Sequence, residues 1–466
     1  MRITFHGAAR CVTGSKHLLE LNSGTKILLD CGMFQGNPKE SDALNRHFGF
    51  SPMQINYVLL SHAHIDHCGL LPRLVAEGFT GKIYCTPATY DLAKILLLDS
   101  AKIHENDVLY LNKKLTEEGK PLVEALYTTD DVYRALFYFT MVPWGQTVKL
   151  ETGVEFTFTD VGHIIGSAAI NLSITENGQQ KRIMFSGDVG RYDDEILNAP
   201  QPFPEADVVV LESTYGDSLH EDTNMSDRRL LEIITETCVK KKGKLIIPAF
   251  SVGRTQELVY ALNRLEISKA LPDIDFYVDS PLSTLATEVM KQHSECYNQR
   301  ILQYMQRDPE PFNFKRLHYI TDVVDSIALN SIEGPCVIIS ASGMADAGRV
   351  KHHIRHNIGS SRNTILIVGY CEPRSLGGKL MNGDTEITIY GRPYSVNAKV
   401  EVMRTLSAHA DYQDLIRFVT VNPVTNVKRL FLVHGEYEVQ QNFRDKLHNK
   451  GFENITIPEM HESFEI

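Results

Sequence analysis

The run Ser61-His62-Ala63-His64-Ile65-Asp66-His67 places four potential metal ligands within six residues, His62 to His67. Imidazole nitrogens suit zinc, and a carboxylate among them favours a hydrolytic site over a thiolate one. The run follows the apolar stretch Tyr57-Val58-Leu59-Leu60, so it belongs at the carboxyl end of a buried strand. In a loop there, His62 and His64 can point one way while Asp66 and His67 turn toward a neighbouring position. No composition bias explains so dense a cluster, for the chain holds 18 histidines in 466 residues.

One run cannot complete two coordination spheres. A two-metal hydrolase needs further His and Asp residues from other strand ends, just after an apolar run and next to glycine. Candidates of this form are His163 in Asp160-Val161-Gly162-His163, Asp188 in Phe185-Ser186-Gly187-Asp188, and His434 in Leu432-Val433-His434-Gly435. The adjacent glycine would let the backbone approach the metals. Taken alone, each could equally be a turn residue.

The cysteines at 11, 31, 68, 85, 238, 296, 336 and 371 form no C-x-x-C pair and sit in apolar surroundings. They read as reduced core residues rather than zinc ligands or disulfides. Hydrophobic content of 43% and charged content of 23% match an ordinary globular protein. No apolar run approaches the ~18 residues needed to span a bilayer. The N-terminus lacks the apolar core and cleavage site of a signal peptide and reads as a first strand. The expected location is therefore cytoplasmic, with no membrane partner. The net charge of −11 argues against indiscriminate binding of nucleic acid. A local cationic cleft with two bound divalent metals could still accept one.

The elements that position these ligands fall into two rhythms. The first part is β-rich, with strands expected at 2–5, 17–21, 26–30, 57–61, 82–86, 154–160, 168–175, 181–186 and 207–211. Helical patterns cover 89–106 and 123–137, so sheets with helices outside them are the expected layering. From about residue 216, strand, tight loop and helix alternate: 244–250, 274–279, 337–340 and 363–369 are strands, each of the first three leading into a helix. Ser280 suits an N-cap and Pro281 the first helical position. This alternation implies a doubly wound parallel sheet. The domains are thus expected at 1–215 with 394–466, and at 216–393, the second inserted into a discontinuous first.

The assembled set resembles the metallo-β-lactamase superfamily of hydrolases, with its αββα sandwich. The resemblance implies one zinc held by His62, His64 and His163 and another by Asp66, His67 and His434, with Asp188 bridging them and Asp30 as a supporting carboxylate behind the ligands. Histidine at position 64, where the flavodiiron branch carries Glu, favours zinc over iron, with manganese as an alternative. Within the superfamily, Leu211-Glu212-Ser213-Thr214-Tyr215-Gly216, Ser407-Ala408-His409-Ala410-Asp411 and Val433-His434-Gly435-Glu436 resemble motifs A, B and C of the β-CASP nucleases. Pro248 to Glu257 and Ser342-Gly343-Met344 with Gly348-Arg349 also look like this family. Histidine at motif C is associated with its RNA-cleaving members. The nearest relatives implied are the bacterial and archaeal nucleases related to the 3′-end processing endonuclease of mRNA. The chain is expected to lack both the long C-terminal extension of ribonuclease J and the KH module of some archaeal relatives.

The expectation is therefore a zinc-dependent, two-metal phosphodiesterase with two Zn2+ per subunit. It would hydrolyse single-stranded RNA in a cleft between the domains, endonucleolytically and also from the 5′ end. Asp66 and Asp188 would serve catalysis through the metals. His409, a non-ligand by resemblance, suits a general acid, and Glu212 could orient it and favour its charged form. Arg254, Ser342 and Arg349 fall at the starts of predicted helices, where phosphates bind well, although plain capping and surface pairing would look the same. Lys351-His352-His353-Ile354-Arg355-His356 is basic and could touch RNA or form a solvated helix face. Gly377-Gly378-Lys379 is not a P-loop, because its upstream glycine and following Ser/Thr are missing. Two other readings are a small ester or thioester hydrolase of the same fold and a non-catalytic RNA-binding scaffold. RNA target, cleavage mode and oligomeric state, a homodimer included, stay open.

Overall fold

The computed structural model describes residues 1–220, 226–369, 371–403 and 408–466. They form two compact units, 1–219 with 409–466, and 220–408.

The first unit is built on two seven-stranded sheets. In one, the strands run in the order Ser463–Glu465, Arg2–Phe5, His17–Glu20, Lys26–Leu29, Tyr57–Leu59, Lys82–Cys85 and Phe139–Met141. In the other they run Ile455–Thr456, Arg429–Val433, Val208–Glu212, Gln179–Phe185, Ala168–Glu176, Val154–Asp160 and Val148–Glu151. Alternate residues turn inward from both. Ile3, Phe5, Leu19, Ile27, Leu29 and Leu59 of the first sheet meet Phe156, Phe158, Ile170, Leu172, Phe185 and Phe431 of the second in one buried core. The intervening residues of the second sheet, Val209, Leu211, Leu430 and Leu432, are buried by Leu415, Phe418, Phe443 and Leu447 of helices Tyr412–Val419 and Tyr437–His448. On the far side, helix Pro87–Glu117 contributes Leu92, Leu96 and Leu97 to the interior. This is the αββα layering.

Strand direction decides where the ligands can meet. Gln179–Phe185, Val208–Glu212 and Arg429–Val433 are mutually parallel, and Val154–Asp160 joins them in direction through two antiparallel steps. Their carboxyl ends, followed by His163, Asp188 and His434, thus share one edge of the sheet.

The second unit carries a six-stranded parallel sheet in the order Leu317–Ile320, Asp275–Asp279, Cys336–Ser340, Leu245–Pro248, Thr364–Ile367 and Lys399–Val402. A separate hairpin pairs Glu386–Ile389 with Arg392–Ser395. Ser280 caps the helix Pro281–Gln292, its side chain accepting from Ser283 N.

The structure differs from the sequence reading in extent rather than kind. The second unit continues past residue 393, because Lys399–Val402 pairs parallel with Thr364–Ile367 instead of returning to the first unit. The helix expected at 89–106 runs Pro87–Glu117, while that expected at 123–137 is confined to Thr129–Leu136, where Thr128 and Asp131 form a capping box. All eight cysteines are free thiols, seven of them buried. Among the described residues no helix is long and apolar enough to cross a membrane.

Candidate metal centre

His62, His64, His163 and Asp188 form one group of convergent ligand atoms, and Asp66, His67 and His434 form a second; within each, the atoms lie within 4.8 Å of one another. All seven are therefore brought to one place from four strand ends. In the first group His64 Nδ1 lies 3.2 Å from both His62 Nε2 and His163 Nε2. In the second, His67 Nε2 and His434 Nε2 are 3.1 Å apart. Asp188 stands between the groups, its Oδ2 3.5 Å from His62 Nε2 and its Oδ1 3.3 Å from His67 Nε2.

The donor set fits divalent cations. Asp188 Oδ1 is buried without a hydrogen-bond partner. Such an atom is costly unless something positive satisfies it. Burial would raise the Asp188 pKa, yet His434, His67 and His62 outweigh it and hold the carboxyl well below its usual range. Burial would likewise lower His67, but Asp188 and Asp30 lift it well above the ordinary imidazole value. Burial lowers His62 well below that value and His64 to about 4, which keeps both imidazoles neutral, the form that binds metals. The carboxylates thus draw positive charge to a spot where His62 and His64 offer neutral nitrogen donors.

Asp30 supports this arrangement from behind. It is completely buried, and its Oδ2 accepts from His67 Nδ1 at 2.6 Å, Ser61 Oγ at 2.9 Å and Ser15 Oγ at 3.1 Å. Its Oδ1 accepts from Ser61 N at 2.8 Å. A carboxylate on Nδ1 fixes the tautomer that leaves Nε2 free toward the cluster. Thr214 Oγ1 does the same for His434, lying 3.0 Å from its Nδ1. Ser15 was not singled out in the sequence and Thr214 entered only as a member of the run Leu211 to Gly216, because a hydroxyl carries no spacing signal.

The glycines beside the ligands act differently from the expectation. A Cβ on Gly162 (φ 62°) would come within 2.0 Å of the Asn198 carbonyl oxygen, and one on Gly187 (φ 54°) within 2.6 Å of Ser61. They allow close packing of neighbouring loops and a left-handed turn, rather than an approach to metal.

Glu212 also lies within ligand distance of Asp188 and His434. Its oxygens are already used: Oε1 accepts from Val189 N at 2.7 Å and from His409 Nδ1 at 3.3 Å, and Oε2 from Thr214 N at 3.2 Å. Through Oε1 it holds the His409 ring. Burial lowers the His409 pKa, but Glu212 and then Asp188 raise it to about 9. His409 lies two residues before Asp411, the N-cap of helix Tyr412–Val419, and Ala410 N is anchored on Val189 O at 2.8 Å. Ser407 of the same motif lies outside the described residues.

The three residues expected to contact phosphate lie in the second unit and have local partners. Arg254, the first residue of helix Arg254–Ile267, is buried with its guanidinium paired to Glu257. Ser342 lies in the loop before helix Gly348–Asn357, not at its start, and its carbonyl accepts from Ala345 N at 3.1 Å. Arg349 is occupied by Asp279 at 2.7 Å and by the carbonyl oxygens of Ile320 and Thr321. Both arginines thus have a carboxylate partner within the second unit.

The model of the metallo-β-lactamase superfamily matches residues 12–249, and that of the Beta-Casp domain matches residues 255–380. The chain belongs to the metallo-β-lactamase superfamily, in its β-CASP branch. A third model, the Zn-dependent metallo-hydrolase RNA specificity domain, matches residues 393–458 of this β-CASP chain. A ribonuclease of Thermus thermophilus is 34% identical over 94% of this chain and 94% of its own length. An RNase J-like protein of Methanocaldococcus jannaschii is 30% identical over 93% of this chain and 92% of its own length. The transcription termination factor FttA of the same organism is 30% identical over 96% of this chain and 68% of its own.

Proposed function

We propose that this β-CASP chain is a zinc-dependent ribonuclease that hydrolyses phosphodiester bonds of single-stranded RNA, chiefly as an endonuclease and also from the 5′ end. The observation that carries the reading is the pairing of the half-buried His409 with the buried Glu212 beside two convergent ligand groups. A small-ester hydrolase needs metal ligands but has no use for a separately held cationic imidazole. The names of the Thermus and Methanocaldococcus relatives, a ribonuclease and an RNase J-like protein, support RNA as the substrate.

His62, His64 and His163 would hold one cation, Asp66, His67 and His434 the other, and Asp188 both; the nitrogen-rich set favours zinc, with manganese as the alternative. Two such cations supply Lewis-acid polarisation of the phosphoryl group and a water activated at neutral pH. The remaining work falls to the chain's own residues. Glu212, itself fixed by the Val189 and Thr214 amides, orients the His409 ring through Nδ1 and keeps it charged. Nε2 is then the ring position from which His409 can deliver a proton to the departing ribose oxygen. Asp30 and Thr214 keep His67 and His434 in the tautomers that face the cluster.

The test is cleavage of labelled single-stranded RNA by the chain loaded with zinc or manganese, with His409→Ala and Asp66→Ala alongside. Loss of cleavage in both variants and in chelator is expected, and product lengths over time separate endonucleolytic from 5′-exonucleolytic action. Cleavage untouched by both substitutions, or hydrolysis of simple esters in place of RNA, overturns the reading.

A further inference from the structure

Helix Gly348–Asn357 has an inner and an outer face. Val350, His353, Ile354 and Asn357 are buried, with His353 Nε2 2.6 Å from Asp279 Oδ2 and its Nδ1 3.0 Å from Asn330 Oδ1. The basic run is thus not a uniformly solvated face. The outer side carries Lys351, His352, Arg355 and His356, and against it lies the tip of the hairpin 386–395. There the Tyr390 ring is 5.0 Å from the His352 ring at 35°, with Lys351 Nζ 5.2 Å and Arg355 Cζ 5.8 Å from its centroid.

Three observations set this patch apart. First, its charge is of one sign in a chain of net charge −11. Among the described residues neither Lys351 nor Arg355 has a carboxylate partner: the Lys351 amine donates to the Asp346 carbonyl oxygen at 3.0 Å, and the Arg355 guanidinium to His356 Nε2 at 3.0 Å. Burial lowers the pKa of His352 and His356, and Arg355, Lys351 and Lys244 lower it further. Secondly, Tyr390 is 50% exposed, so burial does not account for a large aromatic ring there. Thirdly, its backbone is left-handed. Tyr390 (φ 50°) and Gly391 (φ 73°) form the two-residue turn between Ile389 and Arg392. Such a turn favours Asn or Gly, and a tyrosine enters it at a cost in stability. A flat ring held in the open among unpaired cations is what a single-stranded polyanion with stacking bases needs.

We infer that the outer face of helix Gly348–Asn357 and the tip of hairpin 386–395 form an accessory binding site for single-stranded RNA, with Tyr390 and His352 stacking on bases and Lys351 and Arg355 contacting phosphates. The inference rests on the ribonuclease reading and adds an anchoring site remote in sequence from the metal ligands. It binds the strand and takes no part in bond cleavage.

Fluorescence anisotropy of a labelled long oligouridylate on the zinc-loaded full chain, made cleavage-inactive by His409→Ala for this measurement, tests it, with Tyr390→Asn, Tyr390→Phe and the double variant Lys351→Gln/Arg355→Gln. Tyr390→Asn removes the ring and relieves the turn. It is expected to weaken binding roughly tenfold while raising the thermal midpoint, whereas Tyr390→Phe keeps wild-type affinity. The double variant is expected to reduce the slope of log affinity against log salt by about 1.4, or ~0.7 per cation. Hydrolysis of bis(p-nitrophenyl) phosphate stays unchanged in all three, as the metal groups are not touched. Unaltered RNA affinity in Tyr390→Asn and in the double variant overturns the inference, as does competition by polyglutamate equal to that of oligouridylate at matched charge. A wild-type chain that binds RNA through this patch but cleaves none would instead overturn the ribonuclease reading alone.

Discussion

Asp30→Asn changes one atom in size-matched fashion and exposes what the buried carboxylate does. Four hydrogen bonds converge on it, at 2.6, 2.8, 2.9 and 3.1 Å. An amide has one acceptor and one donor end, so it cannot serve both the Ser61 amide on Oδ1 and the His67 imidazole on Oδ2. If its oxygen takes the Oδ2 position, His67 and the hydroxyls of Ser15 and Ser61 keep their acceptor. The Ser61 N–H then faces an NH2 group and loses its partner, costing about 1–3 kcal/mol. If the amide is turned the other way, His67 must move its proton from Nδ1 to Nε2. That removes the lone pair aimed at the cluster. Either way the charge that lifts His67 and helps attract a cation is gone, and metal affinity should fall by about 10- to 100-fold. The assay is zinc titration against a chromophoric chelator, with thermal unfolding of the metal-free chain in parallel. A variant with wild-type zinc affinity and an unchanged metal-free midpoint would refute the role given to Asp30.

Other expectations follow from the same geometry. Glu212→Gln removes the charge that raises His409 to about 9, so the alkaline limb of the pH–rate profile should move to lower pH; an unmoved limb would exclude His409 as the acid. Asp207 is held at about 2 against burial by Arg182 and Lys428, below its ordinary 3.8. Its contribution is therefore fully present above about pH 4 and lost as pH falls toward 2. Thermal midpoints of wild type and Asp207→Asn should differ by the equivalent of about 1 kcal/mol at pH 7 and converge at pH 2, the exposed cations limiting the size. Gly162→Ala must move the Asn198 backbone, 2.0 Å from the new Cβ, and adopt a φ of 62°. It should cost about 2–4 kcal/mol and displace His163, seen as weakened zinc binding; a stable, metal-competent variant would contradict the packing argument.

The residues themselves determined the chemistry. His62, His64, Asp66 and His67 crowd a strand end, and His163, Asp188 and His434 each follow an apolar run, patterns that depend only on local periodicity and side-chain type. The same local signals marked the alternating strands and helices of 245–367. Tertiary structure decided which partner each side chain meets. Asp30 reaches His67 across 37 positions and Thr214 reaches His434 across 220, separations at which no spacing rule operates. Arg349 looked available at a helix start until the end of strand Asp275–Asp279 was brought beside it. Strand Lys399–Val402 joined the second unit because the free edge of Thr364–Ile367 offered it backbone hydrogen bonds, which composition does not reveal. Periodicity is a property of a segment and is written in it; satisfaction of a buried charge is a property of the packed chain, and Tyr390 meets His352 only there.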